Sequence, residues 1–173
     1  MTELEFRAAR PEEWVQARDL RLEMLADTPI AYLQTLADAE ATSDEDWQRR
    51  HTDRLATPTT SAVFVAVDPD GVWRAQVATM VNLFSDPVRV WAGVIYVTPA
   101  LRGQGVAERL VGLAEQWTLD LGHDELFLEV NERNERAIRH YQRTGWTMTG
   151  ARRPYPLDPS MAELEMRKAL SRG

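Results

Sequence analysis

Apolar and polar positions change their spacing several times along the chain, and the changes mark its elements. Leu4-Glu-Phe6-Arg-Ala8 alternates, as a half-buried strand does. Pro11-Glu-Glu then puts a proline and two acids where a helix opens, and Trp14, Ala17, Leu20 and Met24 keep helical spacing until Thr28-Pro29 ends it. Ser43-x-x-Asp46 resembles a capping box, with Asp in place of the usual Glu, before a second helix carrying Trp47 and Leu55. A short helical segment fits between the two, around residues 31–41.

The middle of the chain is β in pattern. Ala62 to Val67, Val72 to Phe84 and Val88 to Val97 are separated by the turns Asp68-Pro-Asp-Gly71 and Ser85-Asp-Pro87, which predicts an antiparallel meander. Val106, Leu110, Leu113, Trp117 and Leu121 then recur at helical intervals, with Gly122 where a C-terminal cap belongs. Glu125 to Val130 reads as the next strand, so strand, helix and strand form a βαβ unit whose strands run parallel. Asn134 to Gln142 reads as a further helix stopped by Gly145, and Trp146-Thr-Met-Thr as a strand. A Pro-rich loop (Pro154, Pro156, Pro159) is expected before a last alternating strand, Ala162 to Arg167.

The join between the third of these strands and its helix, Val97-Thr-Pro-Ala-Leu-Arg102-Gly-Gln-Gly105-Val-Ala107, carries the first chemical signal. Glycines in a strand-to-helix turn let backbone N–H groups approach a ligand, and the helix N-terminus favours an anion, so phosphate is a natural guest; a purely structural turn has the same look. A Walker loop is excluded, because Gly105 is followed by Val106-Ala107 and the chain's single lysine is Lys168. A dinucleotide fingerprint also fails, because Glu108 stands where its third glycine belongs.

Composition narrows the picture without redirecting it. The 173 residues suit one domain, 1–173, and 44% apolar with 27% charged residues is ordinary for a soluble protein. No run is long and apolar enough to span a bilayer, and Met1-Thr-Glu-Leu-Glu lacks the features of a secretory signal, so a cytoplasmic location is expected and no membrane partner. Without cysteine the chain has no thiolate metal site and no acyl-cysteine intermediate, so acyl transfer would go directly to the acceptor and no metal is expected. The formal charge of −7 argues against nucleic acid. Arg102 to Arg153 holds eight arginines and eight acids, so this stretch tolerates a phosphorylated ligand while the negative surplus lies elsewhere.

Arg102-x-x-Gly105-x-Ala107 resembles the acyl-coenzyme A signature of the GCN5-related N-acetyltransferases (GNAT). One helix and one strand later, Asn134-x-x-Ala137-x-x-x-Tyr141-x-x-x-Gly145-Trp146 resembles that family's second pattern. Read alone, Asn134 is a helix cap, Ala137 packing and Tyr141 a core aromatic as readily as a ligand-binding face. Two matches in the right order make the resemblance specific over Val88 to Trp146. It implies a GNAT fold of α+β class: a mostly antiparallel mixed sheet of about six to seven strands, about four flanking helices and a βαβ acyl-CoA core.

The resemblance further implies acetyl-CoA as cosubstrate. Its pyrophosphate would be held by backbone N–H groups of Arg102, Gly103, Gln104, Gly105, Val106 and Ala107. Its pantetheine arm would lie along Ile95, Tyr96 and Val97, with Asn134, Ala137 and Tyr141 lining the channel. A backbone donor near Val97 would polarise the thioester. Tyr141 is the expected acid, and Glu129, twelve residues before it, the expected base, directly or through water.

Tyr32, Trp47 and Tyr155 are the expected acceptor contacts, and the acidic balance suits a cationic amine. The acceptor reads as a small-molecule primary amine, with a protein or peptide N-terminus as the alternative. A noncatalytic acyl-CoA sensor is a third reading, and a homodimer is left open.

Overall fold

Ala62-Val-Phe-Val-Ala-Val67 has no polar position, and a strand apolar at every residue needs cover on both faces. The computed structural model, which describes residues 3–171, provides it. A seven-stranded sheet is formed by β1 (Glu5–Ala8), β2 (Ser61–Val67), β3 (Trp73–Asn82), β4 (Arg89–Val97), β5 (Glu125–Asn131), β6 (Thr147–Tyr155) and β7 (Asp158–Ala169). Their order is β1-β2-β3-β4-β5-β7-β6. On one face Val63, Val65 and Val67 pack with Leu20, Met24 and Leu25 of α1 (Trp14–Asp27), beside α2 (Leu36–Glu40) and α3 (Asp44–Leu55). On the other, Ala66 joins Leu110, Val111 and Ala114 of α4 (Val106–Asp120), with α5 (Glu135–Arg143) at the far end.

All neighbouring strands are antiparallel except β4 and β5, which run parallel across α4 as the βαβ reading requires. The capping reading also holds, since the Ser43 hydroxyl accepts from the Asp46 N–H at 3.2 Å. There are five α-helices among the described residues, the short α2 lying within the helical segment expected around residues 31–41.

The Pro-rich stretch is where the expectation fails. In place of a four-residue strand and a loop, β6 runs from Thr147 to Tyr155 and turns directly into β7. Pro154 is accommodated because β6 is an edge strand, whose outer side needs no ladder hydrogen bonds. Gly150, at φ +90°, absorbs the irregularity between Met148 and Arg152.

Candidate active site

The site begins as a defect in β4. Between Gln76↔Tyr96 and Ala78↔Gly93, one residue of β3 (Val77) faces two of β4 (Val94 and Ile95), a β-bulge. Val94 within it has φ +53°, an outlier for a β-branched residue that costs on the order of 1–3 kcal/mol. The surroundings hold it there: Tyr32 Oη donates to the Ile95 carbonyl at 3.1 Å, and Gln76 Nε2 lies 3.5 Å from the Val94 carbonyl. The bulge reverses which face the strand presents. Val90 and Ala92 join the α4 core, whereas Val94 and Tyr96, of the same parity, join the α1 core.

At the same point β4 and β5 part. Their parallel pairing ends after Val90↔Leu126 and Trp91↔Phe127. The gap is a channel of about 110 Å³, walled by β4 from Ala92 to Val97, β5 from Leu128 to Asn131, and Asn134, Ala137 and Tyr141 of α5. The β4 edge beyond Trp91 has lost its β5 partner, as strand-like pairing with a ligand needs.

Residues of α5 reach the channel because Asn134 caps it, its side chain accepting from the Ala137 N–H at 3.3 Å. The capping and channel-lining readings of Asn134 are therefore both met. The half-buried Tyr141 lies on the channel wall, and its hydroxyl has no hydrogen-bond partner among the described residues. Burial pushes this phenol up to about 12.

Gly103 and Gly105 sit at φ +75° and +76°, a region that side chains other than glycine resist. A Cβ at either would meet no protein atom within 4 Å, so backbone conformation and open space for a ligand, not protein packing, are what require glycine. Gly105 is the N-cap of α4, and no side chain caps that end, leaving its N–H groups for an anion. The Arg102 side chain is engaged elsewhere: its Nε donates to the Val97 carbonyl at 3.0 Å and its guanidinium pairs with Asp27. The side chain locks the end of β4 to α1, so only its backbone is free for the cradle. Val106 likewise turns its side chain into the core.

On the other side of β4 the gap opens into a cleft of about 780 Å³, within the range of small-ligand sites, about 300–1,000 Å³. Channel and cleft share Ala31, Tyr32, Ala92, Gly93, Val94 and Glu129, so they meet at the bulge. Glu129 is the one carboxylate lining both, and it accepts from the Arg153 guanidinium. Cross-strand register puts it opposite Glu165, with Glu163 two residues along the same face. Glu165 is bonded by Arg89 and Thr149. Glu163 is 6% exposed and carries no ion pair or side-chain hydrogen bond among the described residues. Burial pushes its carboxyl up, with Arg153 pulling the other way.

Of the expected acceptor residues, Tyr32 lines both cavities, whereas Trp47 and Tyr155 line neither. Trp47 packs inward from α3 against the α1 core. Tyr155 is buried, and its hydroxyl donates to the Tyr32 carbonyl at 2.6 Å, so it acts on the site through Tyr32. Sequence reading missed Gln76, Arg21, Arg54 and Glu163. For Glu163 a signal existed: alternation in Ala162-Glu-Leu-Glu-Met166 puts two acids on one face of a strand.

The model of the acetyltransferase (GNAT) family matches residues 22–146, from within α1 to the end of the second motif. The chain belongs to the GNAT acetyltransferase family. A GNAT-family acetyltransferase from Streptococcus pneumoniae superposes with a TM-score of 0.78 at 18% identity, over 98% of this chain and 100% of that one. A putative acetyltransferase from Salmonella typhimurium, solved with its cofactor acetyl-CoA, gives 0.74 at 16%, over 99% and 96%. Nourseothricin acetyltransferase gives 0.58 at 30%, over 64% and 66%. The GNAT fold, acetyl transfer and acetyl-CoA as cosubstrate follow for this chain. Among the described residues, no helix is long and apolar enough to cross a membrane.

Proposed function

We propose that this GNAT enzyme acetylates a primary amine on a small molecule held in the wide cleft. The observation that carries this is the tie between two walls of the cleft. Tyr155, at the tip of the β6–β7 hairpin, donates to the backbone carbonyl of Tyr32, so the hairpin is tied to the segment after α1 beside the point where cleft and channel meet. A cleft of about 780 Å³ suits a small acceptor.

The channel would hold the pantetheine arm of acetyl-CoA, and the open N-terminus of α4 its pyrophosphate; acetyl-CoA supplies the activated acetyl group. The chain's own residues then orient and stabilise. The bulge fixes backbone groups of Val94 to Val97 at the junction, where preorganised dipoles act on charge that develops during transfer.

Glu129, alone among the carboxylates in lining both cavities, takes the amine's proton through water, with Arg153 fixing its orientation. Tyr141 serves the departing sulfur. With its phenol near 12 and a thiol near 8.5, complete proton transfer is uphill by about 5 kcal/mol, so Tyr141 acts by donating a hydrogen bond to the thiolate.

The test is an amine and peptide library screened for free-thiol release from acetyl-CoA, with mass detection of products. Small amines are expected to turn over. Release with peptides alone would support the N-terminal acetyltransferase reading, and coenzyme binding without turnover the sensor reading.

A further inference from the structure

The charges lining the wide cleft are sorted, and not all of them are paired. Arg152 and Arg153 engage Glu132 and Glu129, and Glu165 engages Arg89. Arg21 of α1 and Arg54 of α3 also line the cleft, yet neither makes an ion pair with any carboxylate among the described residues. Arg21 is held in place: its Nε donates to Gln34 Oε1 at 3.0 Å and its guanidinium lies 5.1 Å from the centre of the Tyr32 ring. Its remaining N–H groups are free. Arg54 stands in the last turn of α3, where the helix dipole favours a cation, and its exposed guanidinium makes no side-chain hydrogen bond among the described residues.

Two guanidinium groups brought together on a concave wall without an acid are electrostatically unfavourable. Desolvation holds the part-buried Arg21 below the ordinary arginine range, and the charge of Arg54, which is itself exposed, adds to this. Such an arrangement is relieved by an oxyanion, which a pair of arginines binds through forked, charge-assisted hydrogen bonds. The unpaired negative group on the same cleft, Glu163, lies on the sheet side, 6% exposed. The free charges of the cleft are thus two positive on the helical wall and one negative on the sheet wall.

We propose that the acceptor is a small amine that also carries an oxyanion, a carboxylate or a phosphonate, with the anion seated on Arg21 and Arg54 and the amino end directed to the Glu129–Glu163 side. This rests on the small-molecule reading above and gives it a substrate class. It also replaces the expectation, drawn from net charge, of an acceptor that is simply cationic. The overall −7 is a property of the whole surface, whereas the uncompensated charge on the cleft wall is positive.

The experiment measures thiol release from acetyl-CoA with α-amino acids, ω-amino acids and aminoalkylphosphonates, each beside its amide, ester or decarboxylated amine. Acid-bearing members are expected to exceed their neutral partners at least tenfold in kcat/KM; the carboxylate and phosphonate arms show which oxyanion fits. Arg54→Gln and Arg21→Gln should each raise KM for the acid-bearing acceptor at least tenfold, abolish its advantage over the amide, and leave KM for acetyl-CoA unchanged. Arg54, at the helix end, keeps the test valid if Arg21→Gln does not fold. Preference for amides or polyamines, or an unaltered preference in Arg54→Gln, overturns the proposal while the small-molecule reading stands. Turnover of peptides alone overturns both.

Discussion

Burial raises the proton affinity of both Tyr141 and Glu163, with different consequences. For Tyr141 a phenol near 12 stays protonated across the working range, so it remains a hydrogen-bond donor at any pH where the amine can react. Tyr141→Phe is expected to lower kcat by about a hundredfold, in the range of a lost hydrogen bond to developing charge, while KM for acetyl-CoA moves less than threefold. Steady-state kinetics check this, and an unchanged kcat removes the hydroxyl from the reaction. For Glu163 the folded chain binds its proton more tightly than the unfolded chain does, whose value stays near 4.5. Stability from this group is therefore complete below about pH 4 and declines as pH rises through the folded-state value. Glu163→Gln removes the decline. Its melting temperature should match the parent near pH 4 and exceed it by a few degrees near pH 8, and a difference that does not vary with pH would contradict this account.

At the scale of elements, the glycine turn before α4 was legible because its requirement is local. Positive φ at two positions, and a helix start without a capping side chain, are written in residues 102 to 107 themselves. Gly105→Ala forces a Cβ into the left-handed region, at about 1 kcal/mol in stability, and puts a methyl group into space that holds no protein atom. KM for acetyl-CoA should therefore rise by an order of magnitude or more while the melting temperature falls only a few degrees. Loss of stability without a change in KM would make the turn structural alone. The β4 bulge was not legible, for the opposite reason. Val90 to Val97 contains no polar residue but the Trp and Tyr tips, so no alternation records the face reversal at Val94; the features that hold it, Tyr32 and Gln76, lie on other elements. The end of the chain misled for a third reason. Proline content reads as loop unless the strand is known to be an edge, and edge position is a property of the sheet order.

At the scale of the whole molecule, what separates a coenzyme channel from an acceptor cleft is how distant segments are tied together across the gap in the sheet. The stretch proposed to bind acyl-CoA is continuous, residues 88–146, and carries both sequence motifs. The acceptor half is assembled from α1, the segment around Tyr32, α3, the bulge and the β6–β7 hairpin, which no linear pattern unites. Tyr155 is the clearest case: an aromatic in a Pro-rich stretch, it was expected to touch substrate, yet it is buried and bonds the Tyr32 carbonyl 123 residues away. Tyr32 in turn donates to the Ile95 carbonyl in the bulge, so hairpin, linker and catalytic strand form one chain of hydrogen bonds. Tyr155→Phe keeps the ring packing and removes one link, at roughly 1 kcal/mol. Because the tie lies on the acceptor side, the variant should show KM for the amine raised several-fold, KM for acetyl-CoA unchanged, and faster amide exchange at residues 29–33 than in the parent. Exchange confined to the hairpin tip, with both KM values intact, would mean that the hairpin is positioned by packing and that Tyr155 contributes only stability.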